Sequence, residues 1–243
     1  MNANVREELL RVMDGKHHAA FPYLTKPGLS LSQLLAHFSH EYHTYVRDFP
    51  VLLARVLAHG PPMDVRHALA ENIFEEQTGK LSLGVSHPEL FLRMMQGLGI
   101  SKDELEAAGR ELHPAAHAYR AFLDEVTARP PWIAGAAVMT IFVEGSVHER
   151  ADLAGVRQVP PIEQTILEHP MVKFYGCPTE NMDLARAHRL VEGGHRNDAW
   201  QSVIGHLASD EEGALVVRDV TTAQRLWLGY RDGVASRMGI APR

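Results

Sequence analysis

Apolar residues recur at three- and four-residue intervals along most of this chain, and this spacing constrains the fold more than any other feature. Residues on one face of an α-helix repeat with this period, whereas a half-buried strand alternates. Strand signals are weak throughout, so the sequence predicts an all-α protein with about eight to ten helices. Pro50 is expected to kink or end the clearest helix, whose apolar face comprises Leu31, Leu34, Leu35, Phe38, Tyr42, Tyr45 and Phe49.

The same spacing predicts further helices along the chain. Capping boxes are predicted at Ser86, with Pro88 in the first turn, and at Ser101. One continuous helix is expected over residues 132–154 and another over residues 162–174. The other predicted elements are a loop at 156–161, a long helix starting at Pro178-Thr179, and helices at 63–77, 117–127 and 213–238.

Length and composition predict one helical domain over residues 1–243, since 45% of the residues are hydrophobic, 22% are charged and no linker is visible. The net charge of −6, with scattered Lys and Arg, argues against a nucleic-acid partner. The charged N-terminal segment does not resemble a signal peptide, and the most apolar run, 133–143, is too short to span a bilayer. We therefore expect no membrane partner and, with Cys177 as the single cysteine, a cytoplasmic location.

Three residues on the predicted long helix, His188, Glu192 and His195, are candidate metal ligands. At 3.6 residues per turn they lie within an arc of about 60°, so their side chains point to one side. Imidazole and carboxylate are suitable ligands for iron, manganese or zinc. The sequence has 15 histidines but one cysteine, so any metal site has to use such ligands. An exposed helix solvated by Arg189 and Arg196 fits the spacing too, and both interpretations stay open.

Glu144 directly follows the apolar run of residues 137–143 and is the sharpest single anomaly. A carboxylate in a buried helix is costly unless it is paired or ligated, so Glu144 is a candidate ligand. A hydrogen bond to His148, four residues on, explains it equally well. Metal sites in helical bundles collect ligands from several helices. Further candidates on other helices are Glu71, Glu75, Glu76 and His87.

Three runs of the sequence, residues 41–50, 72–79 and 87–91, resemble the haem-oxygenase-like superfamily. This superfamily includes TenA thiaminases, the PqqC oxidase, and diiron oxidases and oxygenases labelled iron-containing redox enzymes. The diiron branch has a motif order of Glu, His, a distant Glu, and a final His-x-x-x-Asp/Glu-x-x-His. The resemblance covers residues 20–210 and implies a single helical bundle of haem-oxygenase-like fold.

The resemblance implies six metal ligands for two iron ions, with stable binding of a single iron left open. Glu76, Glu144 and His188 are implied as catalytic residues, with O₂ as co-substrate. Glu75 stays open in place of Glu76, because neighbouring helical positions differ by about 100°. His148 is expected to orient Glu144 rather than to bind metal. The six implied ligands are Glu76, His87, Glu144, His188, Glu192 and His195.

The implied activity is that of a non-haem diiron oxidase or oxygenase that activates O₂ to oxidise a small organic molecule. The alternative is a PqqC-like cofactor-free oxidase or a TenA-like hydrolase, acting on a small heterocycle in the same cavity. TenA-type hydrolysis needs a nucleophilic cysteine beside a carboxylate, and Cys177 is poorly placed for it. A non-enzymatic helical protein that holds a metal or a partner is a third alternative. The resemblance also implies a homodimer.

Overall fold

Helices make up most of the computed structural model, which describes residues 2–240 apart from the side chains of Asn2 and of residues 192–195. Fourteen α-helices and no β-strand occur in this part of the chain, which confirms the predicted all-α class. Two segments, Tyr42–Val46 and Ala137–Val143, are π-helical. The α-helices are α1 Asn2–Asp14, α2 Phe21–Leu24, α3 Leu31–Glu41, α4 Phe49–Ala58, α5 Met63–Thr78, α6 His87–Gly97, α7 Lys102–Ala108, α8 Pro114–Ala128, α9 Trp132–Ala136, α10 Glu149–Leu153, α11 Ile162–Glu168, α12 Pro170–Tyr175, α13 Asp183–Ile204 and α14 Asp210–Arg237.

The larger hydrophobic core surrounds α14. This helix packs against α1, α3, α8 and the second π-helical segment, and buries Val220, Trp227 and Tyr230. A smaller core cluster, which includes Phe91 and Met95 of α6, lies between α3, α6 and α12. Helix α13 packs on α5, α6 and the second π-helical segment, and these elements meet at one cleft. Among the described helices, none is both long and apolar enough to cross a bilayer.

The prediction of one continuous helix over residues 132–154 was wrong. Helix α9 continues as the π-helical segment to Val143, the chain turns at Gly145, and α10 begins at Glu149. An added Cβ at Gly145 would lie 2.0 Å from the Ile141 carbonyl oxygen, so the turn requires glycine. π-Helical turns often occur at functional sites, and this one ends directly before Glu144.

Prolines break the chain into more helices than predicted. Pro170 divides the expected helix over 162–174 into α11 and α12, because the preceding His169 takes an extended conformation with ψ 132°. After Pro178 the chain makes a 3₁₀ turn, so the long helix α13 starts at Asp183. The capping box at Ser101 is confirmed. Ser86 starts α6 without a side-chain cap, so the capping box predicted there was wrong.

Candidate metal centre

The loop between α5 and α6 turns the chain back so that His87 faces the end of α5. Gly79 ends α5 in the left-handed region with φ 60°, and a Cβ there would lie 2.1 Å from a backbone oxygen across the loop. The buried Glu75 carboxylate accepts hydrogen bonds from the Leu81 amide at 2.7 Å and from the Ser82 hydroxyl. A side chain of α5 therefore holds the loop that leads to the next helix.

Glu75 also orients the imidazole ring of His87. His87 Nε2 lies 3.3 Å from Glu75 Oε1 and acts as the donor, because a carboxylate only accepts. The other ring nitrogen, Nδ1, is buried and lies 2.8 Å from Glu76 Oε1, but it has no aligned hydrogen-bond partner among the described residues. Metal-binding histidines typically donate their second nitrogen to a carboxylate in this way. Glu75 thus lies behind His87, and Nδ1 faces the cleft.

The charges around His87 favour a cation. Burial lowers the pKa of His87, but the carboxylates of Glu76 and Glu75 outweigh it and raise the pKa above its usual value. Burial raises the pKa of Glu75, but hydrogen bonds from Ser82, Leu81 and His87 lower it more strongly, so that this carboxyl stays ionised. A metal ion that displaces the Nδ1 proton enters the same negative surroundings.

Glu76, His87 and His188 form a three-residue cluster supplied by α5, α6 and α13. Their ligand atoms all lie within 4.8 Å of one another, and the two imidazole centroids are 4.9 Å apart. His87 is buried, while Glu76 and His188 are half-buried at the edge of the cleft. One carboxylate and two imidazoles are a ligand set that iron accepts. The residues present therefore fit a metal ion.

Glu144 lines the same cleft. The expectation that it is buried in an apolar helix was wrong, because the π-helical segment ends before it and its side chain is exposed to the cleft. Asn72 of α5 donates to Glu144 Oε1 at 2.8 Å. The expectation that His148 orients Glu144 was wrong too, since His148 is exposed and Asn72 makes that contact.

The other predicted site residues have different positions. Glu192 and His195 lie outside the described side chains, so their part in the site stays a prediction. Glu71 lines a neighbouring recess rather than the cleft itself. Of the two adjacent glutamates, Glu76 joins the histidine cluster and Glu75 supports the loop behind it.

Two polar residues that line the cleft, Asn72 and Glu149, were not predicted as site residues. Asn72 lies four residues before Glu76, and this one-turn spacing could have identified it. Glu149 is buried and accepts hydrogen bonds from the Arg196 guanidinium and from Trp200 Nε1, the latter at 2.9 Å. It ties α13 to the start of α10 across 47 residues of sequence, and such a long-range pair has no local signal.

We expect Glu75→Gln and Glu76→Gln to have different effects. The amide has one acceptor oxygen where the Glu75 carboxylate has two, so it cannot accept from both the Leu81 amide and His87 Nε2, which use different oxygens. Metal affinity should therefore fall about 10- to 100-fold and the loop should lose stability. Glu76→Gln should weaken metal binding without lowering the melting temperature. Metal titration and thermal unfolding of both variants check this. Equal melting temperatures, or a stronger loss of stability in Glu76→Gln, would contradict the assignment.

The protein is a helical bundle in which three helices contribute two histidines and a carboxylate to one cluster. Residues 36–228 match the family model described as iron-containing redox enzyme, and the chain belongs to that family. The search of curated proteins found no match. Among solved structures the fold is similar to that of a TenA homologue from Pseudomonas syringae pv. tomato, with a TM-score of 0.65 and 12% sequence identity over 97% of this chain and 91% of the other. These findings confirm the predicted haem-oxygenase-like superfamily.

Proposed function

We propose that this protein is a non-haem diiron oxidase or oxygenase that uses O₂ to oxidise a small organic molecule. The observation that carries the proposal is the buried Nδ1 of His87, which lies 2.8 Å from Glu76 Oε1 and in one cluster with His188, while Glu75 holds the opposite side of the ring. Membership of a family of iron-containing redox enzymes supports iron as the metal. Glu76, His87 and His188 would hold one ion.

The second ion would lie on the Glu144 side of the cleft. Glu144 and His188 line the same cleft as Glu76, and Glu192 and His195 would complete the set on α13. Iron in such a site supplies electrons for the reduction of O₂. Residues of the chain position the site. Asn72 donates to the Glu144 carboxylate and so fixes its direction. Glu149 binds Arg196 and so holds α13 against the turn before α10.

A recess beside Glu144 is the proposed position for the apolar part of a small substrate. Asn72, Thr140 and Glu144 line both this recess and the metal cleft. The remaining walls come mostly from small and apolar side chains, including Val65, Ala68, Leu69, Ala136 and Ala199. A small apolar group bound there would lie next to Glu144, and pockets between the helices of a bundle are common small-molecule sites.

The cofactor-free alternatives require different catalytic residues from those of a metal site. A TenA-like hydrolase uses a cysteine thiolate, but Cys177 is buried in the smaller core cluster, and its Sγ contacts Met94 and Met182. Burial raises the pKa of the Cys177 thiol to about 11, so it is protonated at neutral pH. These observations favour metal chemistry over thiol chemistry.

Anaerobic iron binding followed by exposure to O₂ tests the proposed function. We expect the purified chain to bind iron(II), up to two per chain, and to consume O₂ as the bound iron is oxidised. Glu144→Gln should bind less iron and slow oxidation, because one carboxylate charge and one ligand are lost. Inductively coupled plasma analysis, optical absorbance and an oxygen electrode measure the three quantities.

The matched control is Glu89→Gln, an exposed carboxylate two residues after His87 that pairs with Arg93 on the surface of α6. This variant should bind iron and consume O₂ as the unmodified chain does. Binding of less than one iron per chain, unaffected by Glu144→Gln, would contradict the proposed function and favour the cofactor-free alternatives.

A further inference from the structure

Lys16, in the segment after α1, donates its hydrogen bonds to the turn that carries Glu144. Its Nζ lies 2.5 Å from the Phe142 carbonyl oxygen, 3.2 Å from that of Val143 and 2.6 Å from that of Gly145. Burial lowers the pKa of Lys16 from 10.5 to about 7. Its ammonium form has three hydrogens and can donate to all three carbonyls at once.

The three carbonyls lie where the π-helical segment ends, and Glu144 follows that end directly. Carbonyls in the last turn of a helix have no partner within the helix and form its negative end, which a cation stabilises. Two of the three acceptors belong to Val143 and Gly145, the residues on either side of Glu144. The backbone that carries this carboxylate is therefore held on both sides by the Lys16 side chain.

The other face of the same turn is held by α10. The Ser146 amide donates to Glu149 Oε1 at 3.0 Å, and a side chain on Gly145 would approach that oxygen to 2.9 Å. The Lys16 Nζ also contacts two aromatic rings, since it lies 4.8 Å from the Phe142 ring centroid and 5.8 Å from that of Trp227. The turn has little freedom to move while these contacts persist.

We propose that Lys16 is a positioning residue for the metal centre, which fixes the Glu144 backbone at the cleft that Glu76 and His188 also line. This inference rests on the proposed function, in which Glu144 is a ligand. A lysine whose partners are all backbone carbonyls could simply stabilise the fold. The positioning role differs because it acts on metal affinity beyond any loss of stability.

The test compares Lys16→Met with Gln224→Ala, in anaerobic titrations with iron(II) alone. Gln224 Nε2 donates to the Val12 carbonyl oxygen at 2.6 Å, so it fastens the same end of α1 without contacting the turn at 142–145. Methionine keeps the length and apolar contacts of Lys16 but has no donor. We expect Lys16→Met to weaken iron binding about 10- to 100-fold, as loss of a supporting contact does, and Gln224→Ala to leave it unchanged.

Hydrogen exchange in the metal-free protein provides the second measurement. Amides of residues 144–147 should exchange faster in Lys16→Met than in Gln224→Ala. Unchanged iron affinity in Lys16→Met, or an equal loss in both variants, would overturn the positioning role. If Lys16→Met does not fold, Lys16→Gln, which keeps part of the donor set, is compared in the same way.

Glu144→Gln in the same titration separates the two proposals. Weaker iron binding in Glu144→Gln but not in Lys16→Met would overturn the role of Lys16 alone. Unchanged binding in Glu144→Gln would overturn Glu144 as a ligand, and with it both the diiron assignment and this inference.

Discussion

Replacing His188 with alanine should abolish tight iron binding while the protein stays folded. His188 lies in the three-residue cluster with Glu76 and His87, and its ring is half-buried at the edge of the cleft. Removal of a supporting contact costs metal affinity about 10- to 100-fold, so removal of a ligand should cost more than that. Anaerobic titration with iron(II), with circular dichroism to check folding, measures the effect.

His206→Ala is the matched control for this experiment. His206 follows the same helix α13, is also half-buried, and pairs with Asp64 at 3.2 Å outside the cleft. The control should keep its iron affinity despite losing an imidazole of similar exposure. Equal iron affinity of His188→Ala and the unmodified chain would contradict the cluster as a metal centre.

Replacing Arg231 with methionine should produce the largest loss of stability among the variants discussed. Arg231 Nη1 and Nη2 lie 2.5 and 3.1 Å from the two carboxylate oxygens of Glu41, and both residues are buried. The hydroxyls of Tyr45 and Tyr230 also donate to Glu41. Removing the cation leaves a buried carboxylate with neutral partners, which costs about 3–5 kcal/mol. Urea denaturation at neutral pH measures this loss.

The double variant Glu41→Leu, Arg231→Met provides the control. Replacing both members of a buried ion pair with apolar residues is often close to neutral, because neither charge then has to lose its hydration. We expect the double variant to recover most of the stability lost in Arg231→Met. A single variant within about 1 kcal/mol of the unmodified chain would contradict the importance of this pair.

The ion pair of Glu41 and Arg231 makes the free energy of unfolding depend on pH in the acid range. Burial raises the pKa of Glu41, but Arg231, His37 and the two tyrosine hydroxyls lower it more strongly, and the pKa falls from 4.5 to about 2. A carboxyl with a lowered folded-state pKa contributes its full stability above pH 4.5 and loses it as the pH falls toward 2. Glu41→Leu, Arg231→Met should therefore lose less stability over this pH interval than the unmodified chain, as urea denaturation at a series of pH values would show.

Much of the fold followed from local sequence signals. The apolar period placed α5, α8 and α14 close to their observed bounds, and the single helix expected over 162–174 failed at Pro170, where a local signal was present. The π-helical segment before Glu144 had no such signal. The turn that follows it brings Gly145 close to the carbonyl oxygen of Ile141, four residues earlier, and the Lys16 side chain to the Gly145 carbonyl oxygen. The Lys16 contact joins parts of the chain that are 129 residues apart.

The candidate site was predictable as a set of residue types but not in its geometry. The motif order brought Glu76, His87, Glu144 and His188 into consideration, and these four line one cleft. The choice between Glu75 and Glu76 could not be made from the sequence. It depends on how the loop after Gly79 closes onto the Glu75 carboxylate, which is a property of the tertiary fold.

Anomalous diffraction from crystals grown anaerobically with iron(II) would show whether the cluster of Glu76, His87 and His188 binds iron. Data recorded on either side of the iron absorption edge locate bound iron without reference to activity. We expect an anomalous peak within bonding distance of Glu76, His87 Nδ1 and His188, with any second peak on the Glu144 side of the cleft. Iron-loaded crystals without a peak at His87, or with iron bound only elsewhere, would contradict this expectation.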